Sequence, residues 1–195
     1  DAPGDVIALW STDPSFGGDN TITLNAGNNS VIAGVGNDQI TGGSGNDRII
    51  GDNGRINVRG AAGFDLFSSD TGNGGQDTIT TGSGVNLVIA GSGNDDVTAG
   101  DTLSLILLDN GSIQRDVALF PLSASSLVDD VHAGDDVALG GSGNSLIIGG
   151  LGNDDINGEG AKNILFGDSA SVAAGRYESI DTGRGGVDTL TAGGD

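Results

Sequence analysis

The sequence lacks cysteine and methionine entirely, and only seven of its 195 residues are aromatic. Without cysteine there are neither disulfides nor thiolate metal sites. So few aromatic side chains argue against an ordinary compact core of large residues. Basic residues are also scarce, seven against 27 acids, and a formal net charge of -20 would repel nucleic acid and anionic membranes. No apolar run is long enough to insert into a membrane as a spanning segment, and no basic segment followed by an apolar one opens the chain.

Glycine and aspartate dominate what is present. There are 38 glycines, and the only glutamates among the acids are Glu159 and Glu178. Aspartate favours turns and caps and offers a short, hard oxygen ligand, whereas glutamate favours helices. Ile, Val and Leu recur at regular intervals, which argues against a disordered acidic chain once cations neutralise its charge. Because the sequence begins at Asp1 without Met, we expect a segment of a larger protein.

Nonapeptide units account for this regularity, each with an aliphatic residue at position 8. Residues 15–51 read "SFGGDNTIT", "LNAGNNSVI", "AGVGNDQIT" and "GGSGNDRII". Further blocks occupy 72–108, 131–167 and 183–195, and the spacers are 1–14, 52–71, 109–130 and 168–182. We predict one repetitive segment over 1–195, with a longer repeat of 58 residues relating Ile49, Leu107 and Leu165. The side chains expected to point inward are Ile22, Val31, Ile40, Ile49, Ile79, Val88, Val97, Leu107 (after a slip of one residue), Ala138, Ile147, Ile156, Leu165 and Leu190.

The units "AGVGNDQIT", "GGSGNDRII", "AGSGNDDVT" and "GGLGNDDIN" resemble the G-G-x-G-x-D-x-U-x nonapeptide of RTX (repeats-in-toxin) proteins. The resemblance implies an all-β fold, a parallel β-roll or β-solenoid, in which two nonapeptides complete one coil and several calcium ions bind in the turns. We expect the spacers to be inserted as hairpins or loops. RTX proteins are secreted through type I systems, so the resemblance also implies a bacterial, extracellular location and folding on contact with calcium.

Within this fold, glycine carbonyls and the residue at position 6 are the implied calcium ligands. The glycines are Gly34, Gly36, Gly43, Gly45, Gly91, Gly93, Gly150 and Gly152. The position-6 residues divide into two sets, one before Thr-rich strands and one before apolar strands. The first set is Asn20, Asp38, Asp77, Asp95, Asp136, Asp154 and Asp188. The second is Asn29, Asp47, Asn86, Ser145 and Asn163.

This division suggests two unlike edges of the roll. Our hypothesis is that the first set binds a row of calcium ions, whereas hydrogen bonds hold the second edge, with Asp47 an exception that we also take as a calcium ligand. The alternative is that Asn acts as a weaker ligand and both edges bind calcium. Asp52, Asp109 and Asp168 close the blocks on the first edge. They either add calcium ligands where the roll is interrupted or serve as ordinary turn residues.

One outer face of the roll is predicted to be apolar, and exposed apolar area of this kind marks an interface. Its residues are Ile32, Ile50, Leu87, Ile89, Leu146, Ile148, Ile164 and Phe166. We expect the spacers to cover it, and the alternative is lateral self-association of rolls. "RINVRGAAGFDLF" predicts a hairpin that turns at residues 60–63. The spacer residues expected to provide the cover are Trp10, Phe64, Phe67, Phe120, Leu127, Tyr177 and Ile180.

Catalysis is not expected, and we predict no catalytic residues. His132 is the only histidine, no G-x-S-x-G motif accompanies it, and we expect it on the surface.

Two functions agree with the sequence. The first is a calcium-binding structural segment of a large secreted or cell-surface protein of the adhesin, matrix or surface-layer type. The second is an accessory secretion and folding module beside the catalytic domain of a type I secreted enzyme or toxin.

Overall fold

A computed structural model describes residues 8–59, 63–100, 102–115, 121–127, 131–160, 162–173, 175–180 and 183–193. This part of the chain forms strands, numbered β1 to β20 in chain order, and contains no helix. No helix that could cross a membrane occurs among these residues. The prediction of an all-β fold with parallel sheets is confirmed.

The Thr-rich strands form a parallel sheet that we call the polar sheet. Its strands are short because a glycine-containing turn follows each of them. Position 8 lies in register from strand to strand, as where Ile40 pairs with Ile22 on one side and Ile79 on the other. In sheet order the strands are β2 (Thr21–Thr23), β4 (Gln39–Thr41), β8 (Thr78–Thr80), β10 (Asp96–Thr98), β14 (Val137–Gly140), β16 (Asp155–Gly158) and β20 (Thr189–Ala192).

The alternate strands form a second parallel sheet, the apolar sheet. Its middle strands are longer than those of the polar sheet, reaching seven residues in β9, β11 and β15. In sheet order the strands are β3 (Ser30–Ile32), β5 (Arg48–Ile50), β9 (Val85–Gly91), β11 (Leu103–Asp109), β15 (Asn144–Gly150) and β17 (Asn163–Asp168).

The first core lies between these two sheets and consists mainly of position-8 residues, such as Ile40, Ile49 and Val88, which are fully buried. The prediction that Leu190 is buried there was wrong, because Leu190 lies on the last strand of the polar sheet and is 47% exposed. Complete burial of such a side chain stabilises the fold by about 1.5–3 kcal/mol. The assignment of Leu107 to this core was wrong. Ile106 pairs with Val88 and lies in the core, whereas Leu107 points to the opposite face of its strand.

The corrected register removes the one-residue slip, because Ile106 follows Val97 by nine residues. It also corrects the uniform 58-residue repeat. The equivalent residues are Ile49, Ile106 and Leu165, which are 57 and 59 residues apart, because the spacers differ in length. Alternation of side chains along a strand means that this shift of one residue exchanges the two faces.

The spacers form a third, antiparallel sheet, the spacer sheet. The predicted hairpin is confirmed, since Arg59 pairs with Gly63 and Ile56 pairs with Leu66, while residues 60–62 lie outside the described part. Successive hairpins pair with one another along the length of the roll. In sheet order the strands are β1 (Ala8–Trp10), β6 (Gly54–Arg59), β7 (Gly63–Ser68), β12 (Gly111–Arg115), β13 (Pro121–Ser126), β18 (Ala170–Ala173) and β19 (Arg176–Ser179).

A second core joins the spacer sheet to the outer face of the apolar sheet. All eight residues of the predicted apolar face belong to it, together with Leu105 and Leu107. The expectation that the spacers cover this face is therefore confirmed. The spacer residues that pack there are Ile56, Leu66, Ile113, Ala124, Ala170 and Val172.

The particular covering residues were mostly predicted wrongly. Trp10, Leu127 and Tyr177 are 61%, 43% and 40% exposed. Phe67 stands next to the buried Leu66, so strand alternation turns it to the outer face, where it pairs with Arg55. Phe67 and Ile180 are half-buried, and neither belongs to the second core. The side chain of Phe64 and the whole of Phe120 lie outside the described part of the structure.

Candidate metal centre

The turns that lead into the polar sheet form one edge of the roll, which we call the Asp edge. Each backbone N–H at position 6 donates to the Oδ1 of the position-6 aspartate in the following coil. Asp38 donates to Asp77 at 2.8 Å, and Asp95 donates to Asp136 at 2.7 Å. The remaining bonds of this ladder run from Asn20 to Asp38, Asp77 to Asp95, Asp136 to Asp154 and Asp154 to Asp188, at 2.7–3.0 Å.

The second oxygen of each carboxylate is left without a donor. Five of these aspartates are 0–2% exposed, and their Oδ2 atoms have no hydrogen-bond partner within the described residues. An unsatisfied buried carboxylate is strongly unfavourable unless a charge of opposite sign meets it. The five are Asp38, Asp77, Asp95, Asp136 and Asp154.

Backbone carbonyls accompany these oxygens. A Cβ added to Gly51 would overlap both the Oδ2 of Asp77 and the carbonyl oxygen of Ala90. A Cβ at Gly149 would likewise overlap the Oδ2 of Asp154 and the carbonyl oxygen of Gly167. At two equivalent places on the Asp edge, a carboxylate oxygen therefore lies close to a backbone carbonyl oxygen.

A hard cation fits this donor set. Calcium takes six to eight oxygen ligands and tolerates irregular geometry. No group of three or more His, Cys, Asp or Glu side chains suited to a metal occurs among the residues described. Carbonyl oxygens must therefore complete the coordination. That composition favours calcium over zinc, which prefers nitrogen and sulfur ligands.

Burial raises the pKa of the carboxylates on this edge, because ionisation in a desolvated place is costly. The pKa of Asp95 rises to about 10, with the charge of Asp136 as a further cause after burial. Burial also raises the pKa of Asp109 to about 9, and Asp136 contributes next. For the other members burial is again the largest cause: the pKa is about 8 for Asp52 and Asp136, about 7 for Asp77 and Asp154, and raised for Asp38.

On the opposite edge, the Asn edge, asparagine side chains donate hydrogen bonds to the carbonyl oxygens of the turns. The Nδ2 of Asn29 donates to the carbonyl oxygens of Asn25 and Gly27, both at 3.2 Å. The Nδ2 of Asn86 donates to the Gly82 carbonyl at 2.8 Å. Asn163 does the same with the carbonyls of Gly158 and Gly160. An amide N–H thus donates to turn carbonyls on the edge where hydrogen bonding was predicted.

Two residues on the Asn edge, Asp47 and Ser104, differ from the asparagines. Asp47 is fully buried, and its Oδ1 accepts from the backbone N–H and the Nδ2 of Asn29, at 3.0 and 2.9 Å. Its Oδ2 has no described partner, so Asp47 stays a candidate ligand. The corrected register adds Ser104 as a position-6 residue that the sequence analysis missed. Its Oγ is buried without a described partner.

The glycines predicted as ligands share a left-handed backbone on both edges, with one exception. Seven of the eight have φ between +101° and +136°, a region that side-chain-bearing residues rarely adopt. Gly43, on the Asn edge, is the one outside this region. Gly36 shows the packing reason as well, because a Cβ there would overlap the backbone of Gly18 and Asp19 in the preceding coil.

Comparison with known proteins agrees with this geometry. The sequence model of the RTX calcium-binding nonapeptide repeat matches residues 15–49, 71–101 and 132–169, more than half of the chain. The chain belongs to this RTX family. Its nonapeptides bind several calcium ions, and such repeats are typical of secreted bacterial proteins. Searches of curated proteins and of solved structures found no match.

A further feature of the RTX turns is a second ladder at position 5, which the sequence analysis missed. Its bonds run in the opposite direction, because the later coil donates to a side chain of the earlier one. On the Asp edge, Gln76 donates its N–H to the Oδ1 of Asn37 at 2.8 Å. On the Asn edge, Val85 donates to the Oδ1 of Asn46, also at 2.8 Å. The recurrent "ND" pair, in which two adjacent side chains each carry an acceptor, was the available signal.

The remaining polar residues considered in the sequence analysis lie on the surface or at the ends of the position-6 ladder. His132, Glu159 and Glu178 are exposed, and for His132 this confirms the expected surface position. Asn20 and Asp188 occupy the two ends of the position-6 ladder. There Asn20 is exposed and Asp188 is half-buried, unlike the five aspartates between them.

Proposed function

We propose that this RTX segment binds a row of calcium ions along its Asp edge and that binding drives its folding. The observation that carries the proposal is the series of buried Oδ2 atoms without partners. Each potential site draws oxygens from more than one coil, so no site exists in the unfolded chain. The free energy of calcium binding therefore becomes free energy of folding.

The proposal extends to location and role. Folding against a net charge of -20 requires many bound cations. Calcium at extracellular, roughly millimolar concentration matches the weak affinity typical of extracellular modules. We infer a structural segment of a large secreted or cell-surface protein of the adhesin, matrix or surface-layer type. Support comes from the three sheets, which run together along the coils and would resist bending better than a single roll.

Circular dichroism during a calcium titration tests the folding mechanism. We expect a transition from coil to β-structure with calcium and none with magnesium, which demands near-octahedral geometry and dehydrates reluctantly. Full β-structure in excess chelator would contradict the proposal.

Single-molecule stretching then tests the structural role. We expect the unfolding force to fall when chelator removes the calcium, and an unchanged force would argue against a load-bearing segment.

A further inference from the structure

Two residues beyond position 9 of each apolar strand, where the chain enters the Asp edge, glycine alternates with aspartate. The register of the apolar sheet pairs Asp109 with Gly91 and Gly150 with Asp168. The aspartates occur only where the chain leaves the roll to form a spacer hairpin. Asp52 and Asp109 also lie outside the stretches that match the RTX family model. The full stack is Gly34, Asp52, Gly91, Asp109, Gly150 and Asp168.

The two residue types have different backbones. The three glycines have φ of +101°, +129° and +124°. Asp52 and Asp109 do not share this conformation, because Asp70 is the only described non-glycine residue with positive φ. Where the chain turns into a spacer, the backbone carbonyl therefore lacks the orientation that a glycine of positive φ provides. A side-chain oxygen is available there instead.

Both aspartates direct their carboxylates over the neighbouring coil. The Oδ2 of Asp52 accepts from the N–H of Ser92, and the Oδ2 of Asp109 accepts from the N–H of Leu151, each at 2.6 Å. A Cβ at Gly91 would overlap the Asp52 carboxylate, and one at Gly150 would overlap that of Asp109. The glycines thus leave the space that these carboxylates fill.

The same carboxylates adjoin the calcium row. Asp52 is 2% exposed and Asp109 is 1% exposed. The Oδ1 of Asp52 has no hydrogen-bond partner within the described residues. Asp52 directly follows Gly51, against which the unpartnered Oδ2 of Asp77 packs. The unpartnered Oδ1 of Asp52 therefore belongs to the residue next to the one that contacts the unpartnered Oδ2 of Asp77.

We propose that Asp52 and Asp109 each supply a second carboxylate to a calcium site of the Asp edge, and thereby fasten the base of a spacer hairpin to the roll. Asp168 holds the equivalent place in the third block. The inference rests on the proposed calcium binding and adds a specific consequence. Calcium would control the docking of the spacer sheet as well as the stacking of the coils.

The double variant Asp52→Asn/Asp109→Asn tests this inference. Asparagine keeps an oxygen for the Ser92 and Leu151 N–H groups but removes the charge. At position 109 it also removes the acceptor of the Gly134 N–H, which donates to the Oδ1 of Asp109 at 3.3 Å. The matched control is Asp96→Asn/Asp155→Asn, which removes two charges from exposed positions on the polar sheet. Isothermal titration calorimetry would count bound ions, and hydrogen exchange would follow peptides from β6, β7, β12 and β13.

The double variant should bind two fewer ions or weaken two sites by at least about tenfold, since calcium affinity depends on ligand charge. Its spacer peptides should exchange at least about tenfold faster at calcium concentrations that just saturate the wild type. If the double variant does not fold, each single variant should lose one site. Ion binding and exchange equal to those of the control would overturn the inference while leaving calcium binding intact. A wild-type chain that binds no calcium would overturn the proposed function itself.

Discussion

The Asp edge and the Asn edge of the roll are built from similar nonapeptide turns but satisfy them in different ways. On the Asn edge, an asparagine amide donates to carbonyl oxygens of its own turn. On the Asp edge, a carboxylate replaces that donor, and its buried Oδ2 has no described partner. An asparagine turn thus receives its side-chain donor from the chain itself, whereas we propose a cation for the carboxylates of the Asp edge. Where position 6 of the Asn edge is asparagine, at Asn29, Asn86 and Asn163, the difference from the Asp edge amounts to one amide group exchanged for one carboxylate.

Asn20 shows that this exchange is local. It lies at the first position of the Asp edge, yet its Nδ2 donates to the Gly18 carbonyl at 2.7 Å, as Asn29 does to Gly27 on the other edge. Whether a turn carbonyl receives this side-chain hydrogen bond therefore depends on the residue at position 6. The edge on which the residue lies does not decide it.

Converting the whole Asp edge to asparagine should have the largest effect. The variant carries Asn at positions 38, 77, 95, 136 and 154. Since each amide removes a buried charge and supplies a donor, we expect this variant to fold in excess chelator, where we expect the wild type to stay a coil. Far-UV circular dichroism with and without calcium measures this. Removing surface charge alone, from the exposed Asp13, Asp70, Asp96 and Asp155, should leave folding dependent on calcium. A fivefold variant that still needs calcium would contradict the comparison.

Acid should partly replace calcium. The folded-state pKa values of about 7 to 10 lie above the ordinary 3.8, so the folded state holds more protons than the unfolded state between these values. Stability without calcium therefore falls as pH rises from about 4 toward 10. In chelator, we expect more β-structure at pH 4.5 than at pH 8. Calcium binding, which displaces those protons, should tighten over the same rise in pH. An apo chain that unfolds further on acidification would be the opposite result.

Exchanging one residue on each edge should produce smaller, opposite changes. Asp95→Asn should remove one bound ion and reduce the calcium requirement for folding. Asn86→Asp keeps an oxygen for the Asp47 N–H but loses the bond to the Gly82 carbonyl, and should add one ion. Calorimetric ion counts at saturating calcium check both. Equal counts in the two variants would mean that both edges bind calcium alike.

The position-5 ladder should show the smallest effect and no difference between the edges. Asn94→Ala removes the acceptor of the Asp135 N–H, and Asn46→Ala removes that of the Val85 N–H. Each loss should lower the free energy of unfolding by about 0.5–1.5 kcal/mol. Denaturant titration at saturating calcium measures it. A much larger loss on one edge would show that position 5 also takes part in cation binding.

The roll, its two faces and its unlike edges followed from a nine-residue period in the sequence, because strand alternation and turn chemistry are local. The register of β11 did not follow. Residues 105–108 read "LILL", and each of these side chains would suit an apolar interior. Only pairing with β9 and β15 shows that Ile106 faces the first core.

The covering residues of the spacers were mispredicted for a similar reason. Mostly large aromatic side chains were predicted to cover the apolar face, but strand alternation decides which side chains turn inward. Small and aliphatic residues such as Ala124, Ala170 and Val172 occupy the inner positions. The stacking of Asp52 over the Gly91 turn was equally hidden, because 39 residues separate the two positions in the sequence.

The position-6 ladder has a consequence for chain entropy. Each of its bonds joins residues only 18 to 41 positions apart, wherever the coil lies in the array. The cost of closing a loop grows with the number of residues enclosed, and here that number stays between 18 and 41 however many coils precede or follow. An array built in this way can lengthen without slower folding or a larger entropic cost per coil, because each coil contacts only its neighbours. The length of such a molecule is then set by the number of repeats encoded.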